Sequence, residues 1–169
     1  MRKTTRDLTH AAAIAALYVV LTYLQNFLVP NSASMAIQFR VSEALCVLAI
    51  FTPSAVWGLS LGCFLFNLSY SAALPLDWFV GTAATVLATI SMYWLRNVRI
   101  KKLPLLALLM PAVFNALLVG AELTIYIGEM SYWLNALYVA IGEAVVLLTL
   151  GTALYFALLP LQKKLFGGQ

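Results

Sequence analysis

The stretch IQFRVSEALCVLAIFTPSAVWGLSLGCFLFNLSY, residues 37–70, decides how this chain is built. It is apolar almost throughout. At 1.5 Å per residue, one helix over its whole length would far exceed the roughly 30 Å of a bilayer's hydrocarbon core. Thr52-Pro53 lies near its middle. Proline removes a helix donor and disfavours helix in the residue before it, so the stretch divides into a short helix over 38–52 and a second over 53–69. Working outward, apolar runs of helical length cover 8–29, 77–95, 104–127 and 131–160, the last long enough to tilt or protrude. The expected architecture is an all-α integral membrane protein: one domain over 1–169, a bundle of six transmembrane helices, multi-pass in the plasma membrane.

Composition agrees. Of 169 residues, 63% are hydrophobic and 9% charged, against roughly 25% charged in soluble domains. Ten basic and six acidic side chains cannot clothe a soluble globule of this size. The first apolar run, after Arg2, Lys3 and Arg6, competes with a cleaved signal peptide. Signal h-regions run only about 7–15 residues, however, and this run is longer.

The basic residues form no stripe of the kind nucleic acid requires. They cluster between apolar runs: Arg2, Lys3 and Arg6; Arg96, Arg99, Lys101 and Lys102; Lys163 and Lys164. Such clusters mark cytoplasmic loops. Six spans with both termini cytoplasmic place every basic residue except Arg40 inside, whereas five spans would turn one cluster outward.

Small residues recur every four positions: Gly58 and Gly62; Ala112, Ala116 and Gly120; Ala136, Ala140 and Ala144. This spacing lets helix backbones approach closely in lipid. The first helix carries two overlapping pairs, Ala11 with Ala15 and Ala12 with Ala16. They read either as internal packing or as a docking surface for another membrane helix.

No catalytic constellation is present. Cys46 and Cys63 are isolated, and His10 is the sole histidine, which leaves no His-based metal site or nucleophile triad. No phosphate-binding loop of the Walker type occurs. The chain reads as a non-enzyme without a cofactor.

Ionisable residues inside a membrane cost roughly 2.5–3.5 kcal/mol each and mark function by default. Gln38, Arg40 and Glu43 lie at the outer end of the second helix, with Arg40 and Glu43 spaced for an ion pair. Asn67 ends the third helix and Asp77 opens the fourth, where a helix cap is the competing role. Glu122 and, seven residues earlier, Asn115 share a face of the fifth. Trp133, Asn135 and Tyr138 occupy the outer part of the sixth, with Glu143 deeper; Tyr132 and Trp133 also suit interfacial anchors. Glu129 falls in an outer loop and reads as solvated. The cytoplasmic half is nearly devoid of such groups, which describes an outward-open pocket and no through-pathway.

Ile37-Gln38-Phe39-Arg40-Val41-Ser42-Glu43-Ala44-Leu45, the proline-initiated third helix and the segment from Trp133 to Glu143 together resemble the QueT family, over nearly the whole chain. These are substrate-binding (S) components of energy-coupling factor (ECF) transporters, assigned to queuosine-precursor uptake. The resemblance implies six helices, solute bound at the outer side, and no ATPase activity of the chain's own. It implies as partners a transmembrane T component, met through the alanine face of the first helix, and two ATP-binding subunits. It implies a deazaguanine ligand, whose N1–H and amino donors suit a buried carboxylate, with Arg, Gln or Asn donating to its carbonyl. Trp133 would stack on the ring. The ligand's side chain is an amine, a nitrile or a cyclopentenediol, and a second carboxylate would suit the amine. An S component for a vitamin is the alternative within this class; a stand-alone channel or accessory subunit is the alternative outside it.

Overall fold

The computed structural model describes residues 3–30, 39–70, 74–128 and 130–167. Gln38, Glu129 and the loop expected over 31–36 lie outside them. Among the described residues the chain is helical, with no strand beyond an isolated bridge between Ile100 and Leu103. Helix α1 spans Lys3–Leu28. A 3-10 segment, Val41–Val47, runs into the single turn α2, Leu48–Phe51. Then come α3 (Ser54–Ser69), α4 (Asp77–Leu95), α5 (Leu105–Tyr126) and α6 (Tyr132–Val146). A π turn, Leu147–Gly151, carries α6 into α7, Thr152–Leu158, and a 3-10 turn leads to α8, Gln162–Phe166.

Four helical stretches are long and apolar enough to cross a membrane: Thr5–Leu28, Asp77–Leu95, Leu105–Tyr126 and Tyr132–Phe166. Val41–Phe51 and Ser54–Ser69 are shorter apolar helices. The chain breaks between them at Thr52, which is extended (φ −149°, ψ 136°) immediately before Pro53, the N-cap of α3. The second helix differs from its expected form. It is mostly 3-10 and starts at Val41, with Arg40 extended at its N-cap.

Helices α1, α3, α4, α5 and α6 pack in that order as a curved row. The short Val41–Phe51 segment sits within the curve, touching α1, α3, α4, α5 and α6, and every residue from Ser42 to Ile50 is buried. Beyond Ser42 and Glu43 the segment is apolar on all sides, which suits such a central position. Its far end closes with α7 and α8: Phe51 stacks on Tyr155 and on Phe166, with ring centroids 5.4 Å and 5.9 Å apart.

The small residues set the helix spacing. A Cβ on Gly58 would lie 2.6 Å from the Ala11 carbonyl oxygen, and one on Gly62 3.0 Å from that of Ala15, so α1 and α3 meet backbone to backbone. A Cβ on Gly120 would lie 2.9 Å from Ala136 Cα, and α5 meets α6 in the same way. The alanine pairs of α1 therefore divide. Ala11 and Ala15 face α3, with Ala15 only 4% exposed, while Ala12 and Ala16 lie on the open side.

Candidate functional site

The inward stripe of α1 continues past Ala15 as Tyr18, Thr22 and Asn26, all buried. Thr22 Oγ1 donates to Ser42 Oγ at 2.7 Å. Gln25 Nε2 donates to the Phe39 carbonyl, and Gln25 Oε1 accepts the Val41 N–H at 2.6 Å. These bonds fasten residues 39–42 to α1 and set Arg40 and Glu43 at the mouth of the central segment.

Glu43 is already engaged. Tyr18 Oη donates to its Oε1 at 2.7 Å, and the Cys46 thiol donates to its Oε2 at 3.1 Å. The sequence reading missed both partners. The signal for Tyr18 was its helical register with Ala11 and Ala15; for Cys46 it was the spacing of three from Glu43.

Across the interior, Asn115 Nδ2 donates to Glu143 Oε1 at 3.1 Å, joining α5 to α6. Glu143 Oε2 is buried without a hydrogen-bond partner among the described residues. Asn67 Nδ2 donates to the Asp77 carbonyl at 3.0 Å and lies 3.5 Å from Cys63 Sγ, while its Oδ1 has no such partner. The Asp77 carboxylate is buried. A Cβ on Gly81 would lie 2.7 Å from Asn67 Nδ2 and 3.1 Å from Asp77 Oδ1, so both side chains sit over that glycine. Asp77 thus occupies the first turn of α4 and complements its dipole, but no side chain caps this helix; the N-cap position is Leu76. Glu122 is 3% exposed, and neither of its oxygens has a hydrogen-bond partner among the described residues.

Arg40 ties these groups together electrostatically. It interacts with Glu43 and Asp77, and it is felt in turn by Glu122 and Glu143. Glu122 also experiences the charge of Asp77, and Glu143 that of Glu43. The structure therefore gathers Arg40, Glu43, Asp77, Glu122 and Glu143, with Asn67 and Asn115 attached by hydrogen bonds.

Other expected residues lie apart. Asn135 is buried but donates to Thr124 Oγ1 at 2.9 Å, joining the ends of α5 and α6. Tyr138 is half-buried. Trp133 is 77% exposed, its ring edge-on to Tyr132 at 5.0 Å. It begins α6 on the outward face, so it is not brought to the buried set to stack on a ligand, and it has the position of an interfacial anchor.

Buried oxygens of this kind cost free energy unless something donates to them. Among the described residues no three His, Cys, Asp or Glu side chains are grouped to hold a metal ion. Fold and composition define a helical membrane protein that buries a cluster of polar and ionisable side chains. The chain matches the family model described as QueT transporter over residues 8–160, and it belongs to that family of membrane transport proteins. No curated protein and no solved structure matches it.

Proposed function

We propose that the chain is the substrate-binding S component of an ECF-type importer and captures a queuosine precursor, a deazaguanine derivative, at the extracellular side. The observation that carries this reading is the set of buried acceptors at Asn67, Glu122 and Glu143 in a chain of the QueT transporter family. A deazaguanine is rich in donors: the ring N1–H, the exocyclic amino group and the pyrrole N–H. Arg40 supplies donors for its carbonyl. In this reading Val41–Phe51 and Ser54–Ser69 complete six crossings, both termini are cytoplasmic, and the polar cluster lies in the outer half. The T component docks on the open face of α1 at Ala12 and Ala16, and ATP hydrolysis belongs to the two ATP-binding subunits.

Calorimetric titration of the purified subunit with deazaguanines, guanine and a panel of vitamins tests the ligand. Saturable deazaguanine binding supports the reading, and binding confined to a vitamin replaces the ligand class. Co-purification from the native membrane tests the partners. An S component brings down a T component and ATPases, whereas a stand-alone channel or accessory subunit does not.

A further inference from the structure

At the far end of the central segment, away from Arg40 and Glu43, lies a cavity of about 130 Å³. Ile50 and Phe51 line it from that segment, and Gln162 lines it from the start of α8. Tyr93 and Arg96 reach it from the end of α4, with Asn97 and Arg99 from the loop that follows. Both arginines after α4 therefore line the cavity, whereas Lys101 and Lys102 do not, and no carboxylate does. The cationic wall is held in place. Arg96 lies over the Tyr93 ring, 3.7 Å from its centroid, and its Nη1 donates to the Tyr93 carbonyl at 2.8 Å. Closing the last turn of α4 is the competing role for Arg96, but that bond uses one of five guanidinium N–H donors. The loop is fixed as well. Val98 N–H donates to the Leu95 carbonyl at 2.9 Å, and Ile100 and Leu103 exchange backbone bonds at 2.9 and 3.2 Å. Lys101, inside that turn, takes the left-handed conformation (φ 59°), which is uncommon for a residue other than glycine.

We infer that this cavity binds the phosphate of an anionic membrane lipid, between Arg96, Arg99 and Gln162. The guanidinium fork matches phosphate oxygens two at a time, and basic pockets between membrane helices receive lipid headgroups in this way. The volume suits a phosphate group and is well below the roughly 300–1,000 Å³ of pockets that enclose drug-sized ligands, so a nucleotide fits less well. A free phosphate ion offers the same chemistry, but the surroundings favour lipid. The cavity opens where the membrane-long stretch Asp77–Leu95 ends. Trp94, in the last turn of that stretch, is exposed, as an aromatic anchored among headgroups would be. Val98 and Ile100, on either side of Arg99, are exposed apolar side chains, and apolar groups interleaved with cations suit a bilayer surface. In the orientation proposed above this surface is the inner leaflet. A bound headgroup ties the loop after α4 to α8 beside Phe51, independently of which solute the polar cluster takes.

The test is native mass spectrometry of the full chain in neutral detergent micelles, titrated with dioleoyl phosphatidylglycerol or dioleoyl phosphatidylcholine. Phosphatidylglycerol is expected to bind at least about tenfold tighter, because its phosphate charge is not cancelled by a choline. Inorganic phosphate and glycerol 3-phosphate, added as competitors, are expected to leave the bound lipid in place. The double variant Arg96→Gln/Arg99→Gln is expected to weaken phosphatidylglycerol about tenfold or more. Lys163→Gln/Lys164→Gln removes the same charge outside the cavity and should change it by less than about threefold. Equal affinity of the parent for the two lipids overturns the inference. So does an equal loss in the two double variants, which would reduce the effect to diffuse attraction by the basic end. Displacement by inorganic phosphate replaces the lipid with a soluble anion. Arg99 is exposed, so Arg99→Gln alone keeps the test decisive if the double variant folds poorly: phosphatidylglycerol binding unchanged by it also overturns the site.

Discussion

Tyr18 donates its phenolic O–H to Glu43 Oε1 at 2.7 Å, across 25 residues of sequence, with the two side chains 0% and 1% exposed. The bond joins the inward stripe of α1 to the central 3-10 segment at the level of the polar cluster. It also separates the roles of the buried carboxylates. Glu43 is held by the protein's own donors, while Glu122 and one oxygen of Glu143 have none among the described residues.

Tyr18→Phe keeps the ring and removes the donor, leaving Glu43 Oε1 buried and unsatisfied. The expected loss is about 1–3 kcal/mol of stability, read as a lower thermal midpoint in detergent. An unchanged midpoint would show that the bond contributes nothing to the fold.

Gly58→Ala and Gly151→Ala separate close packing from helix propensity. At Gly58 the new methyl meets backbone at 2.6 Å, so α1 and α3 must part, at a cost of about 1–3 kcal/mol or more. At Gly151 its nearest neighbour is Leu108 Cδ1 at 3.4 Å, a side-chain contact, and the exchange should be neutral within about 0.5 kcal/mol. Thermal melts of the two variants should therefore diverge; equal shifts would refute the packing argument.

Gly81→Ala addresses the site. The added methyl would lie 2.7 Å from Asn67 Nδ2 and must displace that amide from its 3.0 Å bond to the Asp77 carbonyl. Ligand affinity should fall by roughly tenfold, since misplaced polar groups discriminate strongly, with folding largely kept. Full affinity in a folded variant would place the ligand elsewhere.

On α1, Ala12→Trp and Ala16→Trp alter the open face, whereas Ala15→Trp forces a ring against α3. The first two are expected to fold and bind solute but to lose uptake and co-purification of partners, because a bulky ring holds the docking backbones apart. Ala15→Trp is expected to lower the yield of folded protein. Normal uptake by both open-face variants would remove that face from the interface.

A reporter fused after Gln169 is expected to behave as cytoplasmic, given Lys163 and Lys164 at the end of the last helix. An extracellular reading would overturn the six-span count and the outward position of the cluster.

The helical segments were readable from run length, and the break at Thr52-Pro53 from proline's missing donor, because both are local properties of the backbone. The 3-10 winding of Val41–Val47 was not. Nothing in its composition announces it, and it belongs to a segment enclosed by the surrounding helices. Of the site, the ionisable residues were legible one at a time, since each is conspicuous in an apolar run. Trp133 carried two readings, ring stacking and interfacial anchor, because an aromatic at the start of a helix reads alike whether it turns inward or outward; its 77% exposure suits the anchor.

Hydropathy, charge clusters and one proline suffice to specify a helical membrane chain and its division into segments, because each acts within a few residues of its own position. The division of labour among identical side chains does not follow from such local rules. Ala11 and Ala15 face α3 while Ala12 and Ala16 stay open, because the glycines of α3 admit only one face of α1. Each oxygen of Glu43 accepts a hydrogen bond and those of Glu122 do not, because Tyr18 arrives from another helix and no described residue brings a donor to Glu122. Hydrogen bonding acts over about 3 Å, so a carboxylate's role depends on which distant parts of the chain packing brings to that range.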